Sequence, residues 1–385
     1  MIIAQFFTAN YWFSASVFGS LTLYSVSTWL VQLNFSFSIP PYPSTALVEA
    51  VSVDDFRAVV SAYIACEVII GSRALEKSFM YGAHKVAEML NFVSPRIELV
   101  GRFILAICSI EEWYSLFKVG LLNVLSSERR AFASESWLSS NHLVQILVIP
   151  LCLLLVHEAT VKGRHSALFL LTVLWAPFVV LGGRKELLIT LMMCFLLFGA
   201  KFSLGAKIMS GLAAAVAFSF PAVRGKDLLL SLNEFMLPQF IQFSYQMGLL
   251  SGGAPSDFWR RSLLLVPSWS RPIEIPTFAQ SFAATGLTNV GVGGNPFAEL
   301  QVSFPHAPLS VTFPIELIIL MAILKICSKN YPGIALVTGS LLLIHGRNEF
   351  WVVIFFGIYM GLLIQLLFTS SRTYKEGRNV FQNGL

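Results

Sequence analysis

The sequence predicts an all-α, polytopic integral membrane protein with about ten transmembrane helices and one large polar loop, and three observations predict it. Of the 385 residues, 56% are hydrophobic and only 12% are charged, about half the charge of an ordinary soluble domain. The mean hydropathy is +0.71, and the apolar residues fall into successive stretches of span length separated by short polar turns. One long interruption, residues 222–308, breaks that succession and carries Arg224, Arg260, Arg261 and Arg271. The net charge of +5 is modest and comes with no Lys/Arg run, so nucleic acid is not expected as a partner.

The elements follow in chain order from span length, about 17–25 apolar residues each. Helices are expected at 11–33, 56–72, 97–119, 142–160, 165–181, 186–200 and 206–222. After the loop come 309–327, 332–345 and 350–369, then a basic tail. The chain thus divides into a first helical block (1–221), the large loop (222–308) and a final block (309–385). The first basic residue is Arg57, so the first apolar segment has no charged region before it and is expected to stay as a helix.

Ten spans put both termini on one side, and the short loops say which. Lys162 with Arg164, Lys201 with Lys207, Lys325 with Lys329, the segment 73–96 and the tail with Arg372, Lys375 and Arg378 share a face, which the positive-inside rule makes cytoplasmic. Residues 34–55, with Glu49, Asp54 and Asp55 and no basic residue, then fall outside. On this topology eight lysines lie inside against three outside, whereas nine arginines lie outside against six inside. Arginine binds phosphate oxygens as a planar fork and lysine only as a point charge. An outer face sorted toward arginine suits an anionic ligand at the membrane surface, although the exemption of long loops from the rule gives the same bias.

Several short constellations carry candidate chemistry. Gly182-Gly183-Arg184-Lys185-Glu186 and His345-Gly346-Arg347-Asn348-Glu349 join apolar helices in very few residues, which sets Arg184 and Arg347 at the outer surface. Charges at that depth are paired, snorkelled or functional. Trp259 and Trp269 flank the Arg260-Arg261 pair and read as interfacial anchors or as sugar-stacking surfaces. In GVGGNPFAEL (291–300) the glycines and Pro296 predict a shaped turn, with Glu299 the sole carboxylate between Glu274 and Glu316. Glu299 is a candidate general base or a structural partner for an arginine, and His306 is a second candidate proton carrier. The five cysteines are isolated in apolar surroundings, and the six histidines show no ligand spacing. Disulfides, metal sites and cofactors are therefore not expected.

The Gly-Arg hinge (GGRKELLITLMM), the arginine-bearing outer loop, the Gly/Pro turn ending in Glu299 and the late Arg hinge (HGRNEFWVVIFF) together resemble bacterial O-antigen polymerases. The resemblance spans roughly residues 160–370, while the first 150 match only as hydrophobic helices. After the turn this chain continues Leu300-Gln301-Val302-Ser303, where the family has an aromatic residue and a Gly-rich helix start. The resemblance implies a GT-C-like glycosyltransferase of the bacterial inner membrane with a periplasmic active site. Donor and acceptor would both be oligosaccharide repeat units on undecaprenyl diphosphate, and a chain-length regulator would be a partner. Arg184, Arg224, Arg271 and Arg347, with Arg260 and Arg261 behind them, would stabilise the diphosphate leaving group without a metal ion, and Glu299 or His306 would serve the acceptor hydroxyl. O-antigen ligase shares the layout. A lipid-linked oligosaccharide flippase is the competing transporter reading, against which stand the lack of an internal repeat and the charges gathered at the outer rim. A membrane acyltransferase would call for a helical His on the cytoplasmic side with an Asp or Asn partner, which His157-Glu158 matches poorly.

Overall fold

The computed structural model describes residues 12–32, 45–119, 142–181, 189–190, 193–194, 197–198, 258–266, 270, 296–345 and 350–382. The expected spans 186–200 and 206–222, most of the loop 222–308, and Arg184, Arg224, Arg271 and Arg347 lie largely or wholly outside the described residues. Among those residues every regular element is a helix. In order they are α1 (Trp12–Gln32), α2 (Thr45–Ile69), α3 (Ser72–Leu90), α4 (Pro95–Val119), α5 (His142–Val161) and α6 (His165–Leu181). A 3-10 turn (Arg260–Leu265) precedes α7 (Pro296–Ser303), α8 (Leu309–Asn330), α9 (Pro332–Leu342) and α10 (Phe350–Gln382).

Three of these are long and apolar enough to cross a membrane: Val144–Val161, Leu309–Asn330 and Phe350–Phe368. The pair Val53–Ile69 and Ser72–Leu90, bent by 80°, is a fourth if it forms one broken span. The difference from about ten expected spans has identifiable causes beyond the undescribed segments. Helix α6 has 17 residues and α9 has 11. Helix α4 carries Glu98, Arg102, Glu111 and Glu112 within its length.

Three boundaries differ from the hydropathy reading by more than a helical turn, the first being the start of α2 at Thr45, eleven residues before the expected 56 and inside the expected loop 34–55. Residues 73–96, expected as a cytoplasmic connection, contain α3. Its break from α2 is built at Gly71, whose φ of 81° is open to glycine at little cost. The N–H groups of Ile70 and Gly71 both donate to the Cys66 carbonyl, and the Ser72 N–H donates to Glu67 Oε2 at 3.0 Å. Leu75, Phe79, Val86 and Leu90 then bury one face of α3 while Lys77, Met80, Tyr81 and His84 stay exposed. At the other end, α10 continues to Gln382. Hydropathy marks where apolar side chains stop, and nothing in residues 369–376 breaks a helical backbone there.

The chain divides into two compact units. Unit 1 comprises Met1–Met80, Leu232–Cys327 and Leu341–Ile358. In it α1 packs on α2, with Phe18 edge-on to Tyr63 at 5.1 Å. Phe13 stacks on Phe79 at 4.2 Å, and the Phe13 N–H, one of the first donors of α1, is accepted by Glu76 Oε2 at 2.9 Å. Unit 2 comprises Tyr81–Ser231, Ser328–Ser340 and Tyr359–Leu385. There α4, α5 and α6 pack on one another around α5, which is buried continuously from Val148 to Glu158. Glu98 of α4 holds Lys162 and, at 3.4 Å, Arg164, while Glu158 of α5 holds Arg102. Both carboxylates are buried. The His157 ring meets Asn91 Oδ1 at 3.0 Å in the same unit.

Helix α4 turns its polar side inward. Glu98, Ser109, Glu112 and Ser115 are buried, whereas Leu99, Phe103, Ile107, Ile110, Tyr114 and Phe117 are exposed along one stripe. Also in unit 2, Gly333 and Gly361 bring two helical backbones into contact. A Cβ on Gly333 would meet the carbonyl of Gly361, and one on Gly361 would meet the backbone of Ile334.

Candidate functional site

In unit 1, three segments far apart in sequence are tied by one carboxylate. The first is the 3-10 turn, closed by the Val266 N–H on the Leu263 carbonyl and by Ser262 Oγ donating to the Trp259 carbonyl at 2.6 Å. The second is α7. Its first residue is Pro296, where a fixed φ suits a helix and the missing N–H costs nothing. The expected shaped turn at 291–300 is therefore helical from 296 onward. Glu299 and Ser303 are four residues apart, so both face the same way from α7. Arg261 reaches both, with Nη1 donating to Glu299 Oε1 at 2.8 Å and Nη2 to Ser303 Oγ at 3.3 Å.

The third segment is the start of α10. Its first N–H groups have no partner inside the helix, and Glu299 Oε2 accepts that of Phe350 at 2.9 Å. Arg261 is 3% exposed and Glu299 0%. Phe258 packs over this junction, stacked on Phe350 at 5.5 Å and tilted against Trp351 at 5.4 Å and Phe304 at 5.2 Å. The geometry is that of the structural alternative for Glu299: both oxygens are engaged and the group is closed to solvent.

A second buried pair lies in the same unit. The His345 ring meets Glu316 Oε1 at 2.9 Å, with both residues buried and the imidazole stacked on Phe313 at an interplanar angle of 9°. Phe313 in turn packs on Phe297 of α7 at 4.7 Å.

His306 stands apart from these pairs, exposed in the turn between α7 and α8. It lines a cleft of about 490 Å³ together with Asp54 and Arg57 of α2, Gln301 of α7 and Ser310 of α8. Arg57 Nη1 donates to Asp54 Oδ1 at 3.4 Å. Gln301 Oε1 is buried with no hydrogen-bond partner.

Of the residues singled out in sequence, Arg261 and Glu299 are brought together and His306 is set in the neighbouring cleft. Arg260 lies in the 3-10 turn, but its side chain is outside the described residues, and Trp259 is exposed beside it. Four further residues emerge only from the structure: Glu316, Ser303, Gln301 and Asp54. Glu316 had a legible signal, being a lone carboxylate within an apolar span. Gln301 had none, because an amide becomes conspicuous only once its burial is known. Among the described residues no group of three His, Cys, Asp or Glu side chains is arranged to hold a metal ion.

No family model, no curated protein and no solved structure matches this chain.

Chemically, the junction is a rigid clamp. It fixes the exposed Trp259 and the arginine-bearing turn against the start of α10, directly after the late Arg hinge. The cleft beside it offers donors and acceptors to a ligand.

Proposed function

We propose that this chain is a membrane glycosyltransferase of the bacterial inner membrane that polymerises oligosaccharide repeat units carried on undecaprenyl diphosphate, as an O-antigen polymerase does. One observation carries the reading. Three of the four motifs that suggested that family, the arginine-bearing loop, the Gly/Pro turn and the helix after the late Arg hinge, meet at Glu299. In such a reaction an acceptor hydroxyl attacks the anomeric carbon of the donor and undecaprenyl diphosphate leaves. Negative charge grows on that diphosphate, and fixed guanidinium groups stabilise it in a water-poor site. Arg184, Arg224, Arg271 and Arg347 are the groups for that role, with Arg260 beside them, while Arg261 holds the loop through Glu299.

Side-chain pairing supports a two-faced topology. Asp54 and Arg57 share the cleft with His306, all assigned to the periplasmic side. Glu316 with His345, and Arg261 with Glu299, belong to that side as well. Phe13 with Glu76, Glu98 with Lys162, and Asn330 with Gln365 pair residues assigned to the cytoplasmic side. The stripe on α4 supports a membrane crossing despite its charges: from Leu99 to Phe117 it runs about 27 Å at 1.5 Å per residue, close to the ~30 Å of a hydrocarbon core. Glu98 and Glu112 point into the bundle, as intramembrane charges do.

Transport of the same lipid-linked unit is the second reading, favoured by Glu112, fully buried on α4. A lipopolysaccharide gel from the source strain, with the gene deleted and restored, tests both. Core bearing a single repeat unit with the ladder gone is the expected result. Bare core with polymer held on its carrier means ligase, bare core with no polymer means flippase, and an unchanged ladder overturns all three. Within the polymerase reading, Arg271→Lys should shorten the ladder nearly as severely as Arg271→Ala, because a point charge loses the bidentate fork. Full-length polymer from the lysine variant would remove Arg271 from the diphosphate site.

A further inference from the structure

We infer that the cleft between the start of α2 and the α7–α8 turn is a saccharide site, which takes the hydroxyl groups of the acceptor sugar and not the diphosphate. This deepens the proposed function and rests on it. The argument begins with Gln301. Its Oε1 is buried and has no partner, and a buried acceptor left unsatisfied is a net cost to the fold. The amide lines the cleft, so a half-turn about its last side-chain bond brings that oxygen from its closed position toward a ligand O–H, which would recover the loss.

The rest of the lining fits the same chemistry. Asp54 offers acceptors, Arg57 offers donors, and His306 and Ser310 offer both. Asp54 and Arg57 face each other at 3.4 Å, so their charges cancel locally. A diphosphate would need net positive charge, and the Asp54 carboxylate opposes it. An uncharged polyhydroxyl ligand meets no such barrier. Pro305, Pro308 and Leu309 supply apolar surface for the C–H faces of a sugar ring. The volume of about 490 Å³ lies within the range of small-molecule sites.

The turn is also held in shape before any ligand arrives. Phe304 N–H donates to the Leu300 carbonyl at 2.8 Å, Ala307 N–H to Phe304 at 3.0 Å and Val311 N–H to Pro308 at 2.9 Å. A preformed site loses less entropy on binding. Gln301 lies two residues beyond Glu299 on α7, so the clamp that fixes the arginine turn also fixes the register of the sugar site.

The test titrates the full-length protein in lipid nanodiscs with the free repeat-unit oligosaccharide, released from its carrier by mild acid. Binding is read by saturation-transfer NMR, and sugar-free undecaprenyl diphosphate serves as competitor. Gln301→Leu and Arg57→Ala are each expected to weaken binding at least tenfold. Arg57 is exposed, so its variant folds even if Gln301→Leu does not. Gln365→Leu is expected to bind as the wild type does, since it removes an equally orphaned amide oxygen from unit 2. If both cleft variants bind like the wild type, the saccharide site is wrong while the glycosyltransferase reading stands. Displacement of the sugar by the bare diphosphate overturns the charge argument and the proposal with it. A wild type that binds no oligosaccharide overturns the cleft, and the deletion phenotype then decides the wider reading independently.

Discussion

Gly361→Ala is expected to lower the stability of the solubilised protein by about 3 kcal/mol or more, the upper range for overpacking a close-packed contact. The added methyl would fall on the backbone of Ile334 and close to the Gly333 carbonyl carbon. A flexible side-chain end moves aside cheaply, but two helix backbones must separate as rigid rods. Gly333→Ala meets the same wall from the other side, at the Gly361 carbonyl. Small residues are what permit backbones this close, and in a membrane, where apolar packing gains nothing over lipid, such contact is a main source of helix association. Gly19→Ala is the matched control, because a Cβ there has open space around it. It should leave the unfolding midpoint level or raise it slightly, since alanine favours a helix over glycine by about 0.5–1 kcal/mol. The measurement is a thermal unfolding series in one detergent. Equal midpoints for Gly361→Ala and Gly19→Ala would mean that the two backbones do not touch.

How much of this was legible in the sequence depends on which physical quantity each residue reports. Hydropathy placed α1, α5 and α6 to within a residue or two, because in each the apolar run and the helix end together. It missed α3, where the deciding feature is the glycine turn at Gly71 and the one-sided burial of Leu75, Phe79 and Val86. It also ended α10 at residue 369, where lipid-compatible side chains stop and the helix does not. For the site, residue type pointed to Arg261 and Glu299 separately. Their pairing across 38 positions is a tertiary fact, as is that of Glu316 and His345 across 29. The shared face of Glu299 and Ser303 became readable only once 296–303 was known to be helical. The orphaned oxygen of Gln301 depends on burial alone, which no spacing reveals.

The two roles considered for Glu299 separate in a double-mutant cycle with Arg261. Arg261→Met alone leaves a buried carboxylate without its guanidinium, and Glu299→Leu alone leaves a buried cation and an uncapped Phe350 N–H. Each should cost about 3–5 kcal/mol, the usual penalty for breaking a buried ion pair from one side. The double variant removes both charges at once, and replacing a buried pair by apolar groups of similar volume is often neutral. It should therefore recover most of the loss, short of the roughly 1–3 kcal/mol for the Phe350 donor left unsatisfied. The resulting non-additivity is at or above the roughly 0.5–3 kcal/mol usual for residues in contact, because each single variant strands a buried charge. The cycle is read twice, by unfolding midpoint in detergent and by polymer ladder in cells. A double variant that folds and restores the ladder assigns Glu299 to the clamp and leaves His306 as the proton carrier. A double variant that folds yet makes no polymer assigns chemistry to the carboxylate, which must then leave Arg261 during turnover. Should the double variant lose as much as the two single variants added together, the pair is not a coupled unit, and the convergence of the three segments has to be held by the aromatic packing of Phe258 instead.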